Sequence, residues 1–112
     1  MMPVRMPRKS KYGATPVTID GIRFASKREG KRYAELKLLA KAGEITNLEL
    51  QPRFPFAIGL FNPPIFTYIP DFTYYTKFGQ RVIEDVKGVR TPVYQLKKKI
   101  IEAQYKIEIR EV

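Results

Sequence analysis

The chain contains no cysteine, no histidine and no tryptophan. Without cysteine it has no disulfide, no thiolate zinc site and no cysteine nucleophile. Without histidine it has no imidazole base and no Ser-His-Asp catalytic machinery. Any chemistry that the protein performs must therefore rely on carboxylates, lysine, hydroxyls and hard metal ions.

Long apolar runs are also absent, because the longest, residues 54–61, is interrupted by Pro55 and Gly59. A membrane-spanning helix needs about 20 apolar residues. The basic N-terminal segment is not followed by the apolar stretch of a secretory signal. We therefore expect a soluble, cytoplasmic protein with no membrane partner.

Basic residues outnumber acidic ones by 21 to 11, which gives 112 residues a formal net charge of +10. A hydrophobic content of 44% is enough for one compact core and excludes disorder of the whole chain. We predict a flexible basic arm over residues 1–14 and a single domain over residues 15–112. A surplus of positive charge on so small a body attracts polyanions, so DNA is the expected partner.

The first half of the chain predicts a hairpin followed by a helix. Residues 17–24 alternate around the Asp20-Gly21 pair, which is the strongest short signal for a hairpin. An N-cap pattern at Ser26 and a glycine at position 43 predict a helix over residues 26–42. Helical spacing places an inner stripe on one face, made of Glu29, Tyr33, Leu36 and Ala40 with Leu39 beside them. The basic outer surface is expected to contain Lys27, Arg28, Lys31, Arg32, Lys37 and Lys41.

The second half predicts three or four antiparallel strands, a second helix and a last strand. The β-type patterns cover residues 48–51, 54–60, 66–76 and 81–87. Thr91 and Pro92 form an N-cap and N1 pair, and the helix that follows is predicted to bury Val93, Leu96, Ile100 and Ala103. Residues 106–112 predict the final strand. The fold class is therefore α+β, an α/β sandwich around one sheet.

Two carboxylates and a lysine are predicted to converge on neighbouring strands. The side-chain period of a strand is two, so Asp85 and Lys87 emerge on one face and Val86 on the other. A turn centred on residues 78–79 brings Asp71 almost opposite Asp85. Carboxylates bind Mg²⁺, and a cation can orient or deprotonate an attacking water. Both are requirements of metal-dependent phosphodiester hydrolysis.

Each of these acidic residues also has a structural interpretation. In the pattern Ser26-x-x-Glu29, the Glu29 carboxylate is a helix cap. The inner stripe also directs Glu29 toward the sheet, where a bound metal ion would offset the cost of burying its charge. Asp71 can simply begin a strand, while Asp85 and Lys87 can form an exposed ion pair. Both interpretations stay open at this point.

The motifs resemble the PD-(D/E)XK nuclease superfamily, in the pair Pro70-Asp71, the triplet 85–87 and the helical Glu29. The resemblance implies a restriction-endonuclease-like core, with a mixed sheet of about four to five strands flanked by two helices, plus the N-terminal hairpin. More narrowly, residues 17–112 resemble domain-of-unknown-function family one thousand and sixty-four, small proteins of phages and prophages. They are also similar to phage endonuclease I-type junction resolvases. The motifs of the narrower resemblance are residues 19–29, Gln51-Pro52, residues 68–72 and residues 84–88.

The resemblance implies a DNA endonuclease that uses Mg²⁺ or Mn²⁺ and acts on branched DNA such as Holliday junctions. Such an enzyme would serve phage recombination or DNA processing in the host cell cytoplasm. The implied metal ligands are Asp71, Asp85, the backbone carbonyl of Val86 and the helix-borne acid Glu29, and the implied catalytic lysine is Lys87. Glu84 would replace Asp85 only if a β-bulge shifted the side-chain alternation of the strand, and Gln51 is a weaker candidate.

Basic side chains on the two helices are expected to contact DNA phosphates, which position a duplex without reading its sequence. They are Arg28, Lys31, Arg32, Lys97, Lys98 and Lys99, and a solvated helix face is the alternative for each. Cutting two strands symmetrically needs two active sites, which favours a homodimer. The sequence does not identify the residues of its interface. The alternative function is a non-catalytic nucleic-acid-binding module whose acidic cluster is structural.

Overall fold

The computed structural model describes residues 14–59 and 63–112, and within these ranges it contains two α-helices and eight β-strands. In chain order they are β1 (Val17–Ile19), β2 (Ile22–Phe24), α1 (Lys27–Lys41), β3 (Ile45–Leu50), β4 (Phe54–Phe56), β5 (Phe66–Tyr68), β6 (Phe72–Thr76), β7 (Arg81–Asp85), α2 (Pro92–Tyr105) and β8 (Ile109–Glu111). Of the predicted basic arm, all but Ala14 lies outside the described residues. No described helix is long and apolar enough to cross a membrane.

The central sheet has the strand order β3-β6-β7-β8. Its first three strands are antiparallel, and β8 runs parallel to β7 after the crossover through α2. Two further antiparallel pairs, β1-β2 and β4-β5, lie outside this sheet. The predicted α+β class, with a mixed sheet, two helices and an N-terminal hairpin, is confirmed.

Alternation along β7 sends its side chains to two separate cores. Val82 packs with Leu36 of α1, whereas Ile83 packs with Ile101 of α2. Successive residues of a strand point to opposite faces, so α1 and α2 cover opposite faces of the sheet. This arrangement fixes which helix each later residue of β7 can meet.

The local signals that begin and end the elements are confirmed. The Ser26 hydroxyl accepts a hydrogen bond from the Glu29 N–H at 3.1 Å, and the Thr91 hydroxyl accepts one from the Tyr94 N–H at 3.1 Å. These N-caps satisfy backbone donors that a helix start leaves unpaired. In the β1-β2 hairpin, Asp20 and Gly21 both have positive φ, 55° and 75°, as a two-residue type I′ turn requires.

The structure corrects two predicted strands. The run 66–76 is divided at residues 69–71, so that β5 pairs with β4 and only β6 enters the central sheet. Pro70 explains the division because a proline cannot donate to a ladder. The run 54–60 forms a strand only as far as Phe56, and residues 60–62 lie outside the described part of the chain.

The predicted buried face of α2 is wrong. Val93 and Leu96 are 61% and 60% exposed, Ala103 is also exposed, and Ile100 is only partly buried. The helix instead buries Ile101 completely and packs Tyr94 against the second core. Tyr105 adds an edge-on ring contact to Phe54. A stripe that contains two aromatic rings covers more apolar surface than a stripe of small aliphatic side chains, so it sets the rotation of the helix.

Gly30 should not tolerate a methyl group, although alanine is the better helix former. A Cβ at this position would lie 2.6 Å from Cγ2 of Val17 and 3.0 Å from Cδ1 of Ile19, where the hairpin crosses α1. We expect Gly30→Ala to lower the free energy of unfolding by about 1–3 kcal/mol, measured by urea denaturation. In a Val17→Ala background the same change should cost much less, because the nearest clashing methyl is gone. Equal costs in both backgrounds would contradict this packing.

Candidate active site

The predicted meeting of Asp71 and Asp85 is confirmed by strand register. In the β6-β7 pair, Phe72 lies opposite Glu84 without a register shift, which places the preceding Asp71 opposite Asp85. The Asp71 N–H donates to the Glu84 carbonyl at 3.1 Å and continues the ladder by one residue. The two carboxylates therefore lie side by side where β6 begins and β7 ends.

Burial makes both carboxyl groups reluctant to ionise. Burial raises the pKa of Asp71 to about 6, and the negative charge of Glu29 adds to the increase, against hydrogen bonds from Asp85 and from the Val86 N–H. Burial likewise raises the pKa of Asp85 to about 7, and its contact with Asp71 raises it further. The side chain of Asp85 is only 2% exposed. A positive charge placed beside these two adjacent carboxyl groups would favour their ionised forms.

Besides Asp71, two described side chains contact Asp85 as partners: Lys87 contributes a positive charge, and Tyr68 contributes a neutral hydrogen-bond donor. Nζ of Lys87 lies 3.7 Å from Oδ1 of Asp85, which confirms that these two residues share a strand face. The hydroxyl of Tyr68 donates a hydrogen bond to Oδ2 of Asp85. Burial and this bond raise the pKa of Tyr68 far above its ordinary range. Tyr68 belongs to the motif of residues 68–72, but no role was predicted for it; it lies on the short strand β5, outside the central sheet.

The Glu29 carboxylate lies beside Asp71, at the first turn of α1. It raises the pKa of Asp71 both through its charge and through a side-chain contact. The Ser26 cap uses the backbone N–H of Glu29, so the cap does not require this carboxylate. Of the two interpretations of Glu29, the structure favours a member of the acidic cluster.

A cleft of about 860 Å³ opens over this cluster, between the N-terminal ends of α1 and α2. Its lining includes Glu29, Gln51, Asp71, Val86, Lys87 and Tyr94, whereas the buried Asp85 lies outside the lining.

The Val86 N–H donates to Oδ2 of Asp71 at 2.7 Å. The predicted role of the Val86 carbonyl stays a prediction. Gln51 has a left-handed φ of 52°, a strained backbone state that is concentrated at functional sites.

Glu84 belongs to the opposite face and has a structural partner. Its carboxylate accepts two bonds from the Arg32 guanidinium, at 2.8 and 2.7 Å, and one from the Tyr74 hydroxyl. Glu84 is 0% exposed. This placement confirms the prediction that Glu84 points away from Asp85 in a regular strand. It corrects the prediction for Arg32, which is half-buried in an ion pair rather than on the basic outer surface.

The donor set fits a hard divalent cation with few protein ligands. Within residues 14–59 and 63–112, no three acidic side chains form a group that could hold one metal ion. Mg²⁺, however, is usually bound by one or two carboxylates and keeps several waters. Asp71 and Asp85 supply the two carboxylates, and burial of their charges makes a cation favourable there. Glu29, which contacts Asp71, is the remaining acid of the cluster.

The other basic residues that were predicted to contact DNA differ in their exposure and in their side-chain contacts. Arg28 and Lys31 are exposed on the first turns of α1, and Arg28 contacts the Lys87 carbonyl at 3.5 Å. On α2, Nζ of Lys97 lies over the Phe66 ring and Lys98 pairs with Glu102, while Lys99 is exposed.

The chain matches one family model over residues 9–111, and the family is described as a protein of unknown function (DUF1064). The chain belongs to this family. The match begins at residue 9, so the family region includes part of the predicted arm, whereas the resemblance was expected from residue 17 onward. No curated protein and no solved structure matches the chain. These comparisons give no support to a relationship with PD-(D/E)XK nucleases or with junction resolvases.

The buried ion pair of Arg32 with Glu84 should contribute much to the stability of the packing between α1 and the central sheet. We expect Arg32→Met to lower the free energy of unfolding by about 2–4 kcal/mol, because it leaves the buried Glu84 charge without its cation. Chemical denaturation of Arg32→Met beside Arg28→Met, which removes an exposed guanidinium, checks this. A double variant, Arg32→Met with Glu84→Gln, should recover part of the loss. Equal stability of the two single variants would contradict the structural role of the pair.

The acidic pair predicts a stability that falls with rising pH. Below about pH 4 both carboxyls are protonated in the folded and the unfolded chain. Between the ordinary value of 3.8 and the raised values of about 6 and 7, the folded chain binds more protons, so each rise in pH costs stability.

Asp85→Asn should flatten this decline and melt several degrees higher than wild type at about pH 8, measured by circular dichroism with EDTA present. The comparison with wild type cancels groups such as Glu111, whose lowered pKa acts in the opposite direction. A variant that is less stable than wild type at that pH would contradict the raised pKa of Asp85.

Proposed function

We propose that this protein is a metal-dependent DNA endonuclease of the PD-(D/E)XK type that hydrolyses phosphodiester bonds. The observation that carries the proposal is that Asp71 and Lys87 line one cleft and both contact the buried Asp85, while Glu29 lies beside Asp71. A structural acidic residue would be expected to have a dedicated cation, as Glu84 has Arg32. Asp71 and Asp85 instead lie side by side, and among the described residues the ion pair beside them is that of Lys87 with Asp85.

In this proposal, the carboxylates of Asp71 and Asp85 would hold one Mg²⁺ or Mn²⁺, and the resemblance implies the Val86 carbonyl as a further ligand. A bound divalent ion would polarise the phosphoryl oxygen and stabilise the charge that develops as the phosphodiester breaks. The Val86 N–H keeps Asp71 in place through its 2.7 Å hydrogen bond. Tyr68 does the same for Asp85.

Lys87 supplies the positive charge that lies beside Asp85. Its side chain is 32% exposed, so its ammonium can reach both the buried Asp85 and a substrate in the cleft. There it orients the attacking water and stabilises negative charge on the phosphate. Glu29, at the cleft wall, is placed to accept a hydrogen bond from a water bound near Asp71.

The charge of the protein supports a nucleic-acid substrate. The acidic cluster by itself would repel a phosphate backbone, but the net charge of the chain is +10. Arg28 lines the cleft, and Lys31 is exposed one turn further along α1. Such cations raise the rate and affinity of DNA binding and make both depend on salt.

Branched DNA in phage recombination or DNA processing is the substrate that the resemblance to junction resolvases favours. Symmetrical cutting of a four-way junction would require two copies of this cleft, so the proposal includes a homodimer and action in the host cell cytoplasm. The substrate class depends on the resemblance, whereas the nuclease chemistry also depends on the geometry of the cleft.

Lys87→Ala should lower the rate of DNA cleavage by about 10²-fold or more while leaving folding and DNA affinity nearly unchanged, because it removes a positioned charge at the reacting phosphate. Asp71→Asn should lose metal-dependent cleavage as well. The assay incubates supercoiled plasmid, linear duplex and a synthetic four-way junction with Mg²⁺, Mn²⁺ or EDTA. Lys77→Ala is the matched control, since it removes the same charge from a surface pair with Glu44.

Unchanged cleavage by Lys87→Ala would contradict the assignment of this cleft as the active site. Salt-dependent DNA binding without cleavage, under every metal condition, would select the non-catalytic binding module instead. A separate measurement needs no substrate. Mg²⁺ should raise the melting temperature of wild type near neutral pH but not that of Asp71→Asn, because ligand binding to the folded state stabilises it.

A further inference from the structure

The ammonium of Lys87 has two attractive partners. Oδ1 of Asp85 lies 3.7 Å from Nζ. The ring of Tyr94 lies below the ammonium, with its centroid 4.6 Å from Nζ. A cation at this distance from a tyrosine ring is held by the negative electrostatic potential of the ring face. An ion pair and a ring contact together restrict the direction of an otherwise flexible side chain.

The Tyr94 ring is itself held at both ends. Its backbone N–H donates to the Thr91 cap in the first turn of α2, and its hydroxyl donates to Oε2 of Glu111 at 2.8 Å. The other oxygen of Glu111 accepts from Nε of Arg90, also at 2.8 Å. The start of α2 and strand β8 therefore fix the ring before any substrate is present.

A second aromatic ring closes the arrangement. The ring of Tyr68 lies 6.2 Å from that of Tyr94, and its hydroxyl donates to the same Asp85 that pairs with Lys87. The contacts thus form a closed circuit through Asp85, Lys87, Tyr94 and Tyr68. Each member limits the movement of the next.

We propose that the face of the Tyr94 ring positions the Lys87 ammonium for catalysis, so that Tyr94 is a positioning residue of the proposed nuclease site. This inference rests on the proposed function. A lysine side chain has four rotatable methylene groups, and freezing it during the reaction would add to the barrier. A ring that holds the ammonium beforehand removes that cost. The ring face, rather than the hydroxyl, performs the positioning.

The matched pair of variants is Tyr94→Phe and Tyr94→Leu. Both lose the hydroxyl bond to Glu111, but only Tyr94→Phe keeps a ring beneath the ammonium. Under single-turnover conditions with Mg²⁺ and the best-cleaved DNA, we expect Tyr94→Phe to keep at least about half of the wild-type rate. We expect Tyr94→Leu to lose roughly tenfold in rate at saturating DNA, with little change in DNA affinity. Circular dichroism of each variant verifies folding.

A second readout needs no substrate. In the full-length protein carrying isotope-labelled lysine, the Hε signals of Lys87, assigned with Lys87→Arg, should be displaced upfield by the ring current of Tyr94. The displacement should persist in Tyr94→Phe and vanish in Tyr94→Leu. A merely structural role for Tyr94 would not link this signal to the cleavage rate.

Wild-type cleavage by Tyr94→Leu, or equal losses in the two variants, would overturn the role of the ring. If wild type cleaves no DNA under any metal condition, the proposed function fails and the catalytic purpose of Tyr94 fails with it. The lysine signals still decide, in that case, whether the ring holds the ammonium. The two failures are therefore distinguishable.

Discussion

Strand β7 buries two acidic side chains in succession, and the cost of burying them organises much of the molecule. Glu84 and Asp85 are 0% and 2% exposed, and alternation sends them to opposite faces. Burying a carboxylate is expensive unless it is paired, so each face must provide partners. The α1 face provides a guanidinium in fork geometry. The other face provides a hydroxyl, a lysine and a second carboxyl that resists ionisation, so the charge of Asp85 is less fully compensated than that of Glu84.

Local signals in the sequence predicted most of the fold because they act over a few residues. The caps at Ser26 and Thr91 and the Asp20-Gly21 turn do not depend on distant parts of the chain. The rotation of α2 could not be predicted in the same way. Two stripes of that helix are apolar, and the choice between them depends on aromatic partners on β4 and β5 that are distant in sequence. Pro70 was visible in the sequence, but its role in dividing one run between two sheets required the tertiary arrangement.

The strand period and one turn length were sufficient to place Asp71 opposite Asp85 and Lys87 beside it. The same reasoning placed Glu84 on the opposite face of the strand, which the structure shows to be the α1 face, and a buried acid there demands a cation on α1. That demand was the signal that could have identified Arg32, which borders the inner stripe. Tyr68 and Tyr94 carried no comparable signal, since tyrosines on a short strand and in a first helical turn have many ordinary uses. Their contribution depends on the packing of β5 and α2 beside the end of β7.

The parallel pairing of β7 with β8 has a consequence for the order of events during synthesis. The hairpin of β6 and β7 closes through local contacts, which form quickly. The other edge of β7 stays unpaired until α2 and β8 have been made and the crossover is complete, and unpaired edges favour association with other chains. Asp85, whose carbonyl accepts from the Val112 N–H, gains this neighbour only then. The nascent protein therefore assembles its acidic pair before the framework that encloses it, and β7 is the strand that a chaperone would need to shield.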